Sequence, residues 1–254
     1  MPTPSVISQY QYPQAINRRV WDQKYLFDNF QVQPISAAVG GGAATGVAGD
    51  NNVLYTANAQ YEWNVIGTQT ILAPKLDTFG LNLVQDNTAA DGIELCVGQT
   101  SLSPMAFTIG SDAAFFMTFV FKVQDASGTN PGIIGFRKAQ AFDATLSNYT
   151  DFASIGIVGT ANPNTLKIQT QIATGGVVTT DTTQTVADAA TTALTIKVSS
   201  AGVVTYQVNY AAPTVTAAYT FANALVVIPF IRFTEAADVT TQFSTNYLEI
   251  GFQS

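Results

Sequence analysis

Few residues in this chain are equipped for chemistry, and their types exclude most of it. Histidine is absent, which removes the commonest general base and a leading zinc ligand together. A Ser-His-Asp or Cys-His nucleophile cannot be assembled. The glutamates are Glu62, Glu94, Glu235 and Glu249. None of them stands in a Glu-x-Asp-x-x-Glu pattern, which would place paired carboxylates on one strand above one groove. A glycosidase pair would have to come from distant parts of the chain. Asp143, Asn148 and Asp151 form the nearest cluster of oxygen ligands, the donor type that calcium takes. Their spacing matches no EF-hand, and Asp and Asn are ordinary turn formers. The expectation is turn chemistry and no metal. Glu235 and Asp238 read as a solvated bend. Cys96 is the single cysteine, so it has no intrachain disulfide partner and reads as a small buried apolar residue. Gly40-Gly41-Gly42 is followed by no Gly-Lys-Ser/Thr and reads as a loop, not a phosphate cradle. No cofactor and no enzymatic activity are expected.

The charge balance narrows the partners. The net charge is −7, with ten Lys and Arg. A nucleic-acid binder needs a basic stripe to neutralise phosphates, and docking to an anionic membrane needs the same. Neither partner is expected. Only 11% of residues are charged while 47% are hydrophobic. Exposed monomers rely on charge for solubility, so a surface covered by Thr, Ser, Asn and Gln suits a protein partly covered by neighbours. Met1-Pro2-Thr3-Pro4-Ser5 has no basic or apolar export region. The apolar runs near Ala113 to Val123 and Leu225 to Phe233 are too short to span a bilayer. Synthesis in a reducing cytoplasm is the expectation.

The chain divides into an arm with a linker, 1–52, and a β-sandwich, 53–254. Residues 1–36 carry Pro2, Pro4, Pro13 and Pro34 among many aromatics. Prolines oppose regular structure, and free disordered tails are aromatic-poor. The arm is therefore expected to fold against something, either its own sandwich or a neighbour. Tyr10, Tyr12, Arg18, Arg19, Trp21, Tyr25 and Phe27 are the candidate partner-binding residues, being of types enriched in interface hot spots. Residues 37–52 are Gly- and Ala-rich and read as linker.

Beyond residue 53 the text is strands and turns. Leu81-Asn82-Leu83 and Ile93-Glu94-Leu95-Cys96-Val97 alternate. Phe115 to Val123 is a nearly continuous apolar run that predicts a central strand covered on both faces. Leu166, Ile168, Thr170 and Ile172 alternate with Lys167, Gln169 and Gln171. Leu194 to Val198 and Val203 to Tyr210 form a predicted hairpin with Gly202 at its turn. Trp63 reads as a core strand residue. No long amphipathic helix and no internal repeat is visible. Many short strands at close spacing predict an all-β, antiparallel jelly-roll sandwich.

Two stretches carry a resemblance. One is Ile134-Gly135-Phe136-Arg137-Lys138-Ala139 with Tyr149-Thr150-Asp151-Phe152-Ala153-Ser154-Ile155-Gly156. The other runs from the Leu194–Tyr210 hairpin through Val227-Ile228-Pro229-Phe230-Ile231 to Leu248-Glu249-Ile250-Gly251-Phe252. Together, over about 132–254, they resemble the concanavalin A-like jelly-roll domains of structural proteins of tailed bacteriophages, and echo the laminin-G and legume-lectin class. What the resemblance implies is a virion protein, made in a host cytoplasm. A jelly roll hosts lectins, glycosidases and coat proteins alike, so the fold does not choose among them. The metal sites of legume lectins use a His that this chain lacks.

The functional expectation is a non-enzymatic capsid decoration, or cement, protein. It would grip the major capsid protein and copies of itself, as a homotrimer, through the N-terminal arm. The alternative is a receptor-binding or tail-fibre module that recognises host glycans.

Overall fold

β-Branched and aromatic residues dominate the chain beyond its first quarter, and the computed structural model arranges them almost wholly in strands. It describes residues 24, 26–28, 51–55, 60–67, 75–76, 79, 81–82, 91–127, 129–159, 164–173, 175–235 and 243–253. Along the chain, β1 is Leu26–Asp28, β2 Asn51–Tyr55, β3 Gln60–Ile66, β4 Lys75–Leu76, β5 Leu81–Asn82, β6 Gly92–Cys96, β7 Phe107–Thr108 and β8 Phe115–Val123. Then come β9 Gly132–Lys138, β10 Phe152–Ile157, β11 Thr165–Gln171, β12 Val178–Thr185, β13 Thr191–Val198, β14 Val204–Val208, β15 Val226–Thr234 and β16 Phe243–Phe252. A single 3-10 turn, Leu146–Asn148, interrupts the loop between β9 and β10.

The strands form two antiparallel sheets. The smaller, seven-stranded among the described residues, runs β14-β13-β8-β16-β5-β4, with β1 also on β16. The larger, nine-stranded, runs β12-β11-β10-β9-β15-β6-β3-β2, with β7 also on β15. Non-consecutive neighbours such as β8-β16 and β15-β6 are the long crossovers of a jelly roll. The sheets close on one aromatic-rich core. Phe115 of the smaller sheet stacks on Phe107 at 4.2 Å and meets Phe136 of the larger sheet edge-on at 4.9 Å. Each such side chain, fully buried, contributes about 1.5–3 kcal/mol.

Period-2 patterning decides which residues enter this core. In β11, Leu166 and Ile168 point inward and are fully buried, whereas Lys167 and Gln169 face out. The strand ends at Gln171, so Ile172, expected to continue the inward row, is instead 61% exposed. β8 is central, paired by β13 on one side and β16 on the other. Its odd-numbered residues are buried, but Phe116, Val120 and Lys122 on its second face are only half-buried. The apolar run therefore overstated the cover on that face. The predicted hairpin is present as β13 and β14. Gly202 has φ +86°, and a Cβ there would stand 2.4 Å from the carbonyl oxygen of Phe221, so the turn requires glycine.

One piece of the expected arm is described. β1 pairs with β16, placing Leu26 opposite Ile250 and Phe27 opposite Glu249. Lys24 Nζ lies 2.6 Å from Asp112 Oδ2 and within 5.5 Å of the Phe107 ring centre. This end of the stretch thus lies along its own sandwich and covers part of the β16 edge. Tyr10, Tyr12, Arg18, Arg19, Trp21 and Tyr25 lie outside the described residues, as do most of residues 1–52. The Trp63 side chain lies outside them too, although its backbone pairs with Leu95.

Candidate functional site: the outer face of the larger sheet

A strand that buries its odd residues in the core turns its even residues outward. On β6 and β15, which lie side by side, those outward residues include Glu94 and Arg232; on the next strand, β9, the even residues Ile134 and Phe136 enter the core and Arg137 faces outward. Register brings Arg232 directly opposite Glu94. The chain between β9 and β10, residues 139–151, crosses this outer face as a cover, and beneath it the charged groups are buried: Glu94 and Arg137 fully, Arg232 at 4% exposure.

Glu94 is the hub. Its Oε1 accepts from Arg137 Nε at 3.1 Å and from the Tyr149 hydroxyl at 2.9 Å. Its Oε2 accepts from Arg232 Nη1, also at 3.1 Å. The arginines also donate to the cover. Arg137 Nη1 donates to the carbonyls of Lys138 and Gln140, and Arg232 donates to those of Asp143 and Ala144. The Arg137 guanidinium also lies 4.3 Å from the centre of the Tyr149 ring, a cation–π contact strengthened by burial. Burial, and secondarily the Glu94 carboxylate, push the Tyr149 phenol well above its ordinary ionisation range, so it stays a neutral donor. Beside this cluster Ile133, Phe152, Phe230 and Tyr149 form a second apolar core that pins the cover from below.

The oxygen-ligand cluster considered from sequence is turn chemistry here. Asn148 donates its amide to both oxygens of Asp143, Thr145 N–H donates to Asp143 Oδ1, and Asp151 accepts from Ala173 N–H. Glu235, read as part of a solvated bend, is instead only 5% exposed, and its backbone N–H donates to the Asp91 carbonyl just beyond β15. Asp238 lies outside the described residues. Cys96, the single cysteine, is buried, and its sulfur receives the Asn64 amide at 3.5 Å.

Next to the cover the outer face opens into a cleft of about 260 Å³. Ile133, Leu146 and Val158 supply apolar wall, while Gln169, Arg232 and Thr234 supply polar groups. Arg232 thus joins the cleft to the buried cluster. Glu94 does not line it and is enclosed by its donors, so it has no route to a bound molecule as acid or base.

No family model and no curated protein sequence matches the chain. Solved structures do. The carbohydrate recognition domain of Emp47p superposes with a TM-score of 0.54 at 12% identity, over 91% of this chain and 96% of that one. A protein of unknown function from Shewanella oneidensis MR-1 superposes with a TM-score of 0.51 at 12% identity, over 89% and 84%. The chain shares the two-sheet antiparallel sandwich fold of these structures. At identities this low the likeness is one of fold, and function has to be argued from the site.

Proposed function

We propose that the protein is a non-enzymatic attachment module of a virion that recognises a glycan through the cleft on its larger sheet. The observation that carries this reading is the cleft itself, in a sandwich whose solved likenesses include a carbohydrate recognition domain. Sugars need apolar wall for their C–H faces and directed polar groups for their hydroxyls. Ile133, Leu146 and Val158 offer the first; Gln169, Arg232 and Thr234 offer the second. The non-enzymatic part rests on the chain's lack of His and on the enclosure of Glu94 by Arg137, Arg232 and Tyr149. The virion setting rests on the sequence resemblance over 132–254.

A glycan array probed with the intact chain tests this. Binding to a defined sugar class is expected, and Gln169→Ala should weaken it about tenfold, the effect of one lost hydrogen bond, with unchanged melting. An array on which the folded protein binds nothing would sink the reading.

Capsid decoration is the second reading, with the major capsid protein and copies of the chain in a homotrimer as partners. It is favoured by the anchoring of Lys24 and β1 to Asp112 and β16, which roots the aromatic, arginine-bearing stretch at one edge of the sandwich. Removal of residues 1–23 keeps that anchor. The truncated protein should then fold normally but no longer appear on undecorated phage heads by electron microscopy. Full-length protein absent from the heads would exclude decoration.

A further inference from the structure

The buried cluster beside the cleft does not balance its charge. Arg137 and Arg232 bring two positive charges, and among the described residues their ion-pair partner is Glu94 alone. A net cation held at this depth is costly unless an anion completes it. The two guanidiniums are not equally placed to receive one. Arg137 is fully buried under the Tyr149 ring and does not line the cleft. Arg232 does line it. The acceptors it meets among the described residues are Glu94 Oε2 and the Asp143 and Ala144 carbonyls, fewer than its guanidinium N–H groups can use. Lys167 reaches the Val158 carbonyl at the rim, but Asp181 stands opposite it across the ladder, so that pair leaves the local balance unchanged.

We infer that the cleft takes an anionic sugar, one bearing a carboxylate or a sulfate, seated with its charge against Arg232. This deepens the glycan-binding reading and rests on it. A guanidinium edge presents parallel N–H groups that match the oxygens of either anion. The partners that already fix Arg232, two cover carbonyls and Glu94, hold that edge in place before the ligand arrives, which reduces the entropy lost on binding. Thr234 and Gln169, whose amide also donates to Thr179 Oγ1 at 3.3 Å, face ring hydroxyls, and Ile133, Leu146 and Val158 the C–H face. At about 260 Å³ the cleft falls just below the ~300–1,000 Å³ of sites for drug-sized ligands, which suits one terminal sugar more than a chain.

Titration calorimetry on the intact chain at low salt tests this with trigalacturonate, a 6-sulfated galactose oligomer and a neutral galactose trimer. At least one charged sugar should bind tenfold or more tighter than the neutral one, and added sodium chloride should erode that difference. Which charged sugar binds tells a carboxylate from a sulfate. Gln169→Glu puts a carboxylate on the cleft wall without disturbing the buried cluster. It should weaken the charged sugar at least tenfold more than it weakens the neutral trimer and leave the melting temperature unchanged. Neutral binding as tight as charged would overturn the anion inference and leave the glycan reading standing. Charged binding indifferent to Gln169→Glu would overturn the assignment to this cleft. No binding of any sugar by the folded protein would overturn both.

Discussion

Glu94→Ala is expected to lower the unfolding free energy by about 3–5 kcal/mol and the melting temperature by on the order of 10 °C. The variant leaves Arg137 and Arg232 buried with no carboxylate between them, and it removes the acceptor of the Tyr149 hydroxyl. Uncompensated buried cations are among the few single changes with effects this large. Breaking a buried pair and replacing it are different experiments, however. Converting Glu94 and Arg137 to Leu and Arg232 to Met together removes every charge at once and should recover part of the loss. Recovery should stop short of the parent, because the carbonyls of Lys138, Gln140, Asp143 and Ala144 would lose their guanidinium donors and the cover would be less firmly held. Urea unfolding followed by circular dichroism measures both variants. A loss under about 1 kcal/mol for Glu94→Ala, at the level of an exposed pair, would show that the cluster is wet and not the clamp described.

Alkaline pH should unfold the protein steeply. Tyr149, Tyr206 and Tyr219 all have ionisation pushed upward, in each case first by burial. Glu94 adds to the effect at Tyr149, Tyr219 at Tyr206, and Asp151 at Tyr219. In the unfolded chain a phenol ionises near pH ~10, whereas the folded chain retains these protons to higher pH. The unfolded state therefore binds fewer protons above that point, and stability falls as pH rises. The stabilisation is complete below about pH 10 and is lost above it, at up to about 1.4 kcal/mol per pH unit for each phenol. Three phenols together reach about 4 kcal/mol per pH unit. Urea midpoints between neutral pH and strong alkali read this directly. Tyr206→Phe separates one contribution from the rest. Its hydroxyl has no hydrogen-bond partner among the described residues, so neutral-pH stability should hold while the alkaline slope becomes shallower. An unchanged slope in that variant would mean that Tyr206 ionises as freely in the folded chain as in the unfolded one.

Both expectations concern groups that local sequence shows only as oddities. Glu94 stands in Ile93-Glu94-Leu95-Cys96, Arg137 in Gly135-Phe136-Arg137, and Arg232 in Phe230-Ile231-Arg232-Phe233. Each is a lone charge inside an apolar strand, in a chain with few charges to spare. That is a legible sign of burial, since a buried charge needs a partner, and it could have prompted a search for the pairing. It does not say which strand is beside which. Glu94 and Arg232 are far apart in sequence, and only the β15–β6 register makes them opposite.

The sequence by itself determined the class of the fold. Alternation at Leu166–Gln171 and in the Leu194–Tyr210 hairpin, the turn at Gly202 and the run at Phe115 are local patterns with local causes. They were enough for an antiparallel sandwich, and the fold implied by the resemblance over 132–254 is the one found. The absence of His likewise excluded whole families of chemistry before any coordinate was known. Tertiary structure alone decided the site. The 139–151 segment offers local sequence only the turn chemistry of Asp143, Asn148 and Asp151, yet Arg137, Arg232 and Tyr149 draw it over the outer face, bury Glu94 and leave a cleft at its side. Likewise, Leu26–Asp28 reads as part of an arm and becomes a strand only because β16 offers it an unpaired edge. The reason is the same in both cases. Periodicity tells a residue which face it takes, but the neighbour across the ladder is chosen by long-range pairing that no short window contains.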